Sequence, residues 1–269
     1  MRKFIFLVAA LAFTHLAHAD RLDDIKSRGS LICGVYSGVQ PFAFQDATTR
    51  ELQGYDVDIC KALGTKMGVK TDIKMVALEA RIPELQQGRV DVLAAVLGYS
   101  AARAEQIAFS DTYFLGRQVI AVKGAGPFTK RDDLNGKRIS TIKGSSSIPI
   151  LQNVLPAATP VAYDTVSAAF TALVQDKVDG FVATEVPVRG LMDKLGAEAS
   201  QLKLLEPPVA EEHWGLGIRK GESALEKAVN DALVSLEKSG ELDAIFNKWM
   251  GPNTIYQLKR NFKVAPIPR

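Results

Sequence analysis

Histidine and cysteine are scarce in this chain of 269 residues, which has three of the first and two of the second. His15 and His18 fall in an N-terminal stretch that reads as removable, leaving His213 alone. One histidine cannot build a multi-histidine metal site, and it is poor material for a Ser/His hydrolase. No Cys/His pair has metal-binding spacing. An excess of one charge is lacking as well. Lys and Arg number 33 against 30 Asp and Glu, a net of +3, and loss of Arg2 and Lys3 leaves 31 against 30. So balanced a chain offers no concentrated basic surface, and nucleic acid is not an expected partner. Beyond the N-terminus no apolar run approaches the ~20 residues of a transmembrane helix. What is present is ordinary: 47% hydrophobic residues with 21 Gly and 12 Pro. That is enough apolar mass for a core, and it excludes disorder, collagen and a small disulfide scaffold. The length fits one large domain or two modest ones.

Arg2 and Lys3 precede an apolar stretch at 4–13, and Ala17-His18-Ala19 is a small-x-small cleavage signal. Residues 1–19 are therefore expected to be a signal peptide, with Asp20 as the new N-terminus and a soluble, exported product. A lipid anchor is not expected, because Ile32 rather than a small residue precedes Cys33. Cys33 and Cys60 sit in the apolar runs 31–35 and 57–63. Export permits a bridge between them, but free cysteine is also a small core residue, and these settings favour two buried thiols.

Strand and helix patterns alternate along the chain. Strands are expected at 31–36, 71–76, 90–96, 137–142, 181–183 and 214–218. Helices are expected after Gly54, at 81–87, from Ser100 to Ile107, from Ile148, around Val166–Val174, up to Leu195, at 225–236 and at 242–249. The alternation predicts an α/β fold with a largely parallel sheet, and the tail to Arg269 reads as irregular. One stretch recurs without gaps: Leu85 to Ala95 lines up with Leu173 to Ala183, sharing Leu, Gln, a basic residue, Val-Asp and a closing Ala. Each copy reads as a helix end, a tight turn and a buried strand, which suggests two α/β lobes on one plan.

Two places look ready for an anion. Arg103 falls in the first turn of the helix capped by Ser100, where a cation is locally unfavourable unless it serves another purpose. Guanidinium matches a carboxylate as a two-pronged partner, although a first-turn arginine can also simply point into water. Gly144-Ser145-Ser146-Ser147 lies at a strand-to-helix turn, where glycine permits close approach and N–H and hydroxyl groups converge. It lacks the Gly-Lys-Ser/Thr end of a phosphate loop, and ordinary capping would also explain it. Together, one per lobe and both at strand C-terminal ends, the two places would line one crevice that suits a small carboxylate-bearing ligand. No enzyme constellation matches them in strength. Gly215-x-Gly217 lacks the rest of a dinucleotide fingerprint, and Glu211-Glu212-His213 reads as a solvated charge run.

Past the expected leader the chain resembles, almost end to end, the periplasmic solute-binding proteins of polar amino acid ABC importers. The resemblance is carried by Gly54-Tyr55-Asp56-Val57-Asp58-Ile59, by Arg103-Ala104-Glu105-Gln106-Ile107-Ala108-Phe109-Ser110-Asp111-Thr112-Tyr113, by Gly136-Lys137-Arg138-Ile139 with Gly144-Ser145, and by Lys248-Trp249-Met250-Gly251. It implies a type II periplasmic binding protein fold: two lobes, each a mostly parallel sheet flanked by helices, joined by a two-strand hinge. Lobe 1 would be 20–114 plus 214–269, and lobe 2 would be 115–213. It implies a periplasmic, monomeric subunit with no cofactor, whose partners are a small ligand and an importer permease.

Carried onto this sequence, the resemblance gives Arg103 the ligand α-carboxylate, met from lobe 2 by Ser145 and Ser146. Val96 and Gly98 would contact the ligand backbone; relatives often have Ser or Thr at Gly98. Leu78 and Phe42 would be apolar walls. Arg81 resembles an arginine of acidic amino acid binders, which points to glutamate or aspartate if it faces inward. Relatives usually have Asp at Thr184 to hold the ligand ammonium. Glu185 takes over that role, or the ammonium is held weakly, or the ligand is not a standard amino acid. A lyase on the same fold, similar to cyclohexadienyl dehydratase, is the alternative, with Glu185 as its candidate acid. A sensor module is disfavoured, because no transmembrane or signalling segment follows.

Overall fold

The structure, a computed structural model, describes residues 21–268. The expected leader at 1–19 and its cleavage site lie outside the described residues. In chain order the elements are α1 (Arg21–Arg28), β1 (Ser30–Val35), the small hairpin β2 (Phe44–Gln45) and β3 (Leu52–Gln53), α2 (Tyr55–Met67), β4 (Lys70–Met75), α3 (Arg81–Gln86), β5 (Val92–Leu93) and α4 (Ala101–Ala104). There follow β6 (Ala108–Lys123), β7 (Arg138–Ile142), α5 (Ser147–Val154), β8 (Thr159–Tyr163), α6 (Val166–Val174), β9 (Gly180–Thr184), α7 (Glu185–Lys194), β10 (Leu202–Ile218), α8 (Ser223–Ser239) and α9 (Glu241–Met250). Residues 251–268 contain no helix or strand.

One sheet orders its strands β4-β1-β5-β10-β6-β9-β7-β8. Each flank is parallel: β1 pairs with β4 and β5, and β7 pairs with β8 and β9. The two long central strands run antiparallel to each other and to the flanks. Their register pairs Phe114 with Trp214 and Leu115 with His213, with irregularities between Leu205 and Ala210 and again at Gly215. Patterning missed β6 entirely and found only the end of β10. Central strands lose the two-residue alternation wherever both faces are covered, and Pro207, Glu211 and Glu212 interrupt the apolar run in β10. The strand expected at 90–96 shrinks to β5, because the backbone of 94–99 turns toward the site, and the helix from Ser100 shortens to four residues, because a turn at 105–107 leads into β6.

The repeated stretch is a structural repeat down to its hydrogen bonds. Gly88 and Asp176 both take the left-handed turn conformation, at φ 67° and 56°. Asp91 donates its N–H to Ile32 O (2.8 Å) and accepts the Ile32 N–H at Oδ2 (2.7 Å). Asp179 does the same with Arg138, at 2.8 Å and 3.0 Å. Each Val-Asp thus brackets the neighbouring parallel strand and fixes its register. Two distant motifs also meet here: Asp58 Oδ2 accepts from Trp249 Nε1 (2.7 Å) and Lys248 Nζ (2.6 Å).

The expectation of two buried thiols is corrected. Cys33 on β1 and Cys60 on α2 are both fully buried and form a disulfide, with Cα atoms 6.0 Å apart. Their apolar surroundings mark the interface between strand and helix, where the two inward faces meet, so burial and bridging coincide. The bridged residues are 27 apart in sequence. Replacing both by alanine should cost about 3–4 kcal/mol, the scale set by loop closure in the unfolded chain. Urea unfolding of the double variant against the oxidised parent measures it, and a loss under about 1 kcal/mol would mean that the bridge constrains little.

Candidate functional site

The site forms where the two halves of the sheet face each other beside β6 and β10. Arg81 opens α3 and is 3% exposed. Its donors go to backbone carbonyls: Nε to Leu78 O (2.7 Å), Nη1 to Ala95 O and Val96 O (both 2.7 Å), and Nη2 to Gly144 O (3.1 Å). Burial, followed by the nearby charge of Arg103, pushes its pKa down to about 9, so it stays charged at neutral pH. Ser100 caps α4 as expected, its Oγ accepting from Arg103 N at 3.3 Å. The Arg103 side chain reaches Gly98 O (2.8 Å) and the same Gly144 O (3.1 Å). Burial lowers its pKa, and the charge of Glu212 opposes that. Among the described residues no carboxylate lies within ion-pair distance of either guanidinium.

Gly144 belongs to the far half. It takes φ +73°, and a Cβ there would lie 3.0 Å from Glu79 Cα of the near half. Glycine is what lets the turn approach so closely. Ser145 and Ser146 line a cavity of ≈ 40 Å³, together with Leu78, Arg81, Val96, Thr184 and Glu212. Ser146 makes no side-chain cap bond to α5. Arg103, Ser146 and Glu212 also line the wider adjoining cleft of ≈ 430 Å³, with Ile267 and Pro268 of the tail at its edge.

Val96 sits at φ 51°, a costly conformation for a β-branched residue. Asp56 holds it there: fully buried, it accepts Val96 N–H at Oδ2 (3.1 Å) and Tyr113 Oη–H at Oδ1 (2.9 Å). Val96 N–H is therefore committed, and its carbonyl faces Arg81. Burial raises the Asp56 pKa to about 7, against the lowering pull of Tyr113, Val96 N–H and Arg81. A folded pKa above the unfolded value of about 3.9 means that the native state binds the extra proton. Stability from this group is thus full below pH 4 and lost as pH rises toward 7. Asp56→Asn cannot ionise, so its stability relative to the parent should improve by a few kcal/mol between pH 4 and 7.5. Urea unfolding across that range tests this, and a pH-independent difference would refute it.

Two expected site residues lie elsewhere. Phe42 is fully buried behind the cleft, its ring 4.9 Å from Trp214 and 5.0 Å from Phe114. It supports the wall as part of an aromatic cluster. Glu185 is held by Arg117 Nη1 (2.7 Å) and by Arg189 Nε (2.7 Å), and it does not line the cavity. Gly98 contributes a carbonyl to Arg103. The space where its Cβ would stand is filled by Glu212, whose Oε1 would lie 2.5 Å away.

Glu212 is a further correction. It is not a solvated charge but a buried one, 7% exposed, on β10 beside the cleft. Gln118 of β6 donates from Nε2 to Glu212 Oε2 and to Thr184 Oγ1 (3.2 Å), and its Oε1 accepts from Ser147 Oγ (2.9 Å). Nothing in the local pattern singles out Gln118, which lies on the unexpected β6, and Glu212 reads as solvated because its part of β10 is not expected as a strand. The available signal was the position of Glu212 two residues before Trp214, on the same face of an extended chain.

A cleft between two halves of one sheet, crossed by two strands and faced by unpaired cations, defines a two-lobed binding protein. The chain belongs to the bacterial extracellular solute-binding proteins, family 3, whose sequence pattern matches residues 31–252. It is similar to the ABC transporter glutamine-binding protein of Bacillus subtilis, 28% identical over 235 residues, which covers 86% of this chain and 85% of that protein. Among solved structures, an ancestral arginine-binding protein bound to arginine is 32% identical with a TM-score of 0.76, over 83% of this chain and 99% of that one. An ancestral amino acid-binding protein described as a precursor of cyclohexadienyl dehydratase is 29% identical with a TM-score of 0.77, over 87% of this chain and all of that one, 100%. Among the described residues no helix is long and apolar enough to cross a membrane.

Proposed function

We propose that the protein is the periplasmic substrate-binding subunit of an ABC importer and captures a single amino acid by closing its two lobes on it. The supporting observation is the convergence of Arg81 and Arg103 on the one carbonyl of Gly144, each at 3.1 Å. Two guanidiniums sharing a neutral acceptor form a site short of an anion. A ligand carboxylate would supply it, most directly through Arg103, with Ser145 and Ser146 meeting it from the far side. The lobes in this reading are 20–114 with 214–269, and 115–213. Phe114 and Trp214, paired at the crossing, mark the boundary. Ligand bridging the two halves favours the closed form by its differential affinity for it, and that form then engages the permease as a monomer.

The charge balance favours an acidic amino acid. Two cations and one buried carboxylate, Glu212, face the cleft, and the second carboxylate of its lining, Glu211, is exposed and screened by water. Among the buried charges, therefore, a zwitterion leaves a positive charge uncompensated, whereas glutamate or aspartate neutralises it. Binding without turnover is the reading for activity. Glu185, the candidate acid of the dehydratase reading, is occupied by two arginines. The test is thermal unfolding of ligand-stripped protein with the twenty common L-amino acids, and turnover assays with prephenate and arogenate. A native-state ligand must raise the melting temperature. We expect glutamate or aspartate to raise it most and neither cyclohexadienyl substrate to be consumed. Stabilisation by no amino acid, or turnover of either substrate, would overturn the proposal.

A further inference from the structure

Glu212 stands out among the buried charged groups. Asp91 is met by Arg21 (2.6 Å) and Arg28 (2.5 Å), Glu185 by two arginines and Glu222 by Arg219. Asp56 also lacks a cation, but both of its oxygens accept, from Val96 N–H and Tyr113 Oη–H. Among the described residues Glu212 has no cation within ion-pair distance, and its Oε1 accepts no hydrogen bond. Burying a carboxylate is costly unless a cation or several donors compensate it. One amide, that of Gln118, is the whole visible compensation. The missing partner has a place to stand, since Glu212 belongs to the wall shared by the inner cavity and the outer cleft. Gly98 makes room for the carboxylate itself: any side chain there would run into Glu212.

We propose that Glu212 is the cation anchor of the binding site and takes the ammonium group of an amino acid whose carboxylate lies on Arg103. This rests on the binding function proposed above and deepens it. Arg103 and Glu212 line the same cleft, with Ser146 facing both, so a carboxylate and an ammonium one carbon apart are met by charges of opposite sign. Gln118 is a positioning residue: its amide fixes Glu212 Oε2 and leaves Oε1 to the ligand. Thr184 lies on the other side of that amide. A carboxylate at 184 would share one amide with Glu212 and repel it, so a neutral hydroxyl there goes together with the charge at 212.

The test compares the parent with Glu212→Gln by isothermal titration. The probes are the common L-amino acids that raise the melting temperature of the parent, and for each the acid bearing hydrogen in place of the α-ammonium. Glutarate is the partner of L-glutamate, and glutaramate that of L-glutamine. Truncating one member of a buried charge pair weakens binding by about 30-fold or more. Glu212→Gln should lose at least that for the amino acid while holding the amine-free acid as tightly as the parent or more tightly. The ratio of the two affinities is therefore the readout, and a merely structural role would leave it unchanged. Glu212→Asp, which keeps the charge on a shorter arm, should recover part of the loss. Equal weakening of both probes, or of neither, overturns the anchor while the binding function stands. A parent that binds no amino acid overturns both. The unliganded melting temperatures of the variants confirm that they are folded.

Discussion

Arg103→Ala should weaken amino acid binding by about 100-fold or more while leaving the unliganded fold intact. Arg103 is only partly buried and gives the protein two hydrogen bonds, to Gly98 O and Gly144 O. Both carbonyls border the cleft, where water can replace the lost donors. A bound carboxylate would lose a two-pronged, charge-assisted contact in a site that water has left, at a cost of about 3 kcal/mol or more. Arg103→Lys keeps the charge but not the planar fork and should fall between the parent and alanine. Titration calorimetry of the three proteins gives the order. A loss of less than about 5-fold in the alanine variant would place the carboxylate elsewhere in the cleft.

Arg81→Met has the opposite signature, with its main effect on stability. Three of the four carbonyls that Arg81 serves, those of Leu78, Ala95 and Val96, belong to the same half of the molecule and fix its loop. Methionine fills the stem's volume and returns none of the donors. Each unpaired buried acceptor costs about 1–3 kcal/mol, offset in part by no longer burying a cation. A net loss of about 4 kcal/mol would lower the melting temperature by roughly 10 °C in a chain this size. Val96 makes the effect larger than a simple count, because its left-handed backbone depends on Asp56 from one side and Arg81 from the other. An unchanged melting temperature would mean that cleft water takes over all three carbonyls. That would leave Arg81 free to serve as a second ligand contact.

The contrast between these arginines shows what was legible in the sequence and what was not. Arg103 was conspicuous because it sits where a helix start disfavours it, and local rules suffice to see that. Arg81 was visible as a residue of interest, but its four carbonyls come from positions 78, 95, 96 and 144, and only the folded chain brings them together. Most elements of the flanks were readable from apolar periodicity and caps, though not the edge strand β8, which is only half-buried, and the Val-Asp repeat announced the same construction twice. The centre of the sheet was not readable. β6 is buried on both faces over 118–122, the first part of β10 carries exposed residues, and the two pair over long distances in sequence and carry polar residues where the cleft needs them. Gln118 and Glu212 were therefore lost with their strands. The disulfide was misjudged because its surroundings look the same whether the sulfurs touch or not. Phe42 and Glu185 illustrate a third limit. A residue next to a site in sequence can face away from it, Phe42 into an aromatic cluster and Glu185 onto two arginines.

The Gln118 amide carries a consequence of a different kind, because it gives the cleft a polarity. Ser147 Oγ donates to Gln118 Oε1, and Gln118 Nε2 donates on to Glu212. Reversed, the amide would set its oxygen against the Glu212 carboxylate, so the orientation is fixed and every proton along this line points the same way. The line begins at the first residue of α5, passes through β6 and ends on β10. The Ser147 proton is spent inside the line, so toward the cleft its hydroxyl offers only lone pairs, while the far end, at Glu212, accepts. A molecule entering between them meets acceptors at both ends of one directed chain. It can join that chain only by bringing protons of its own.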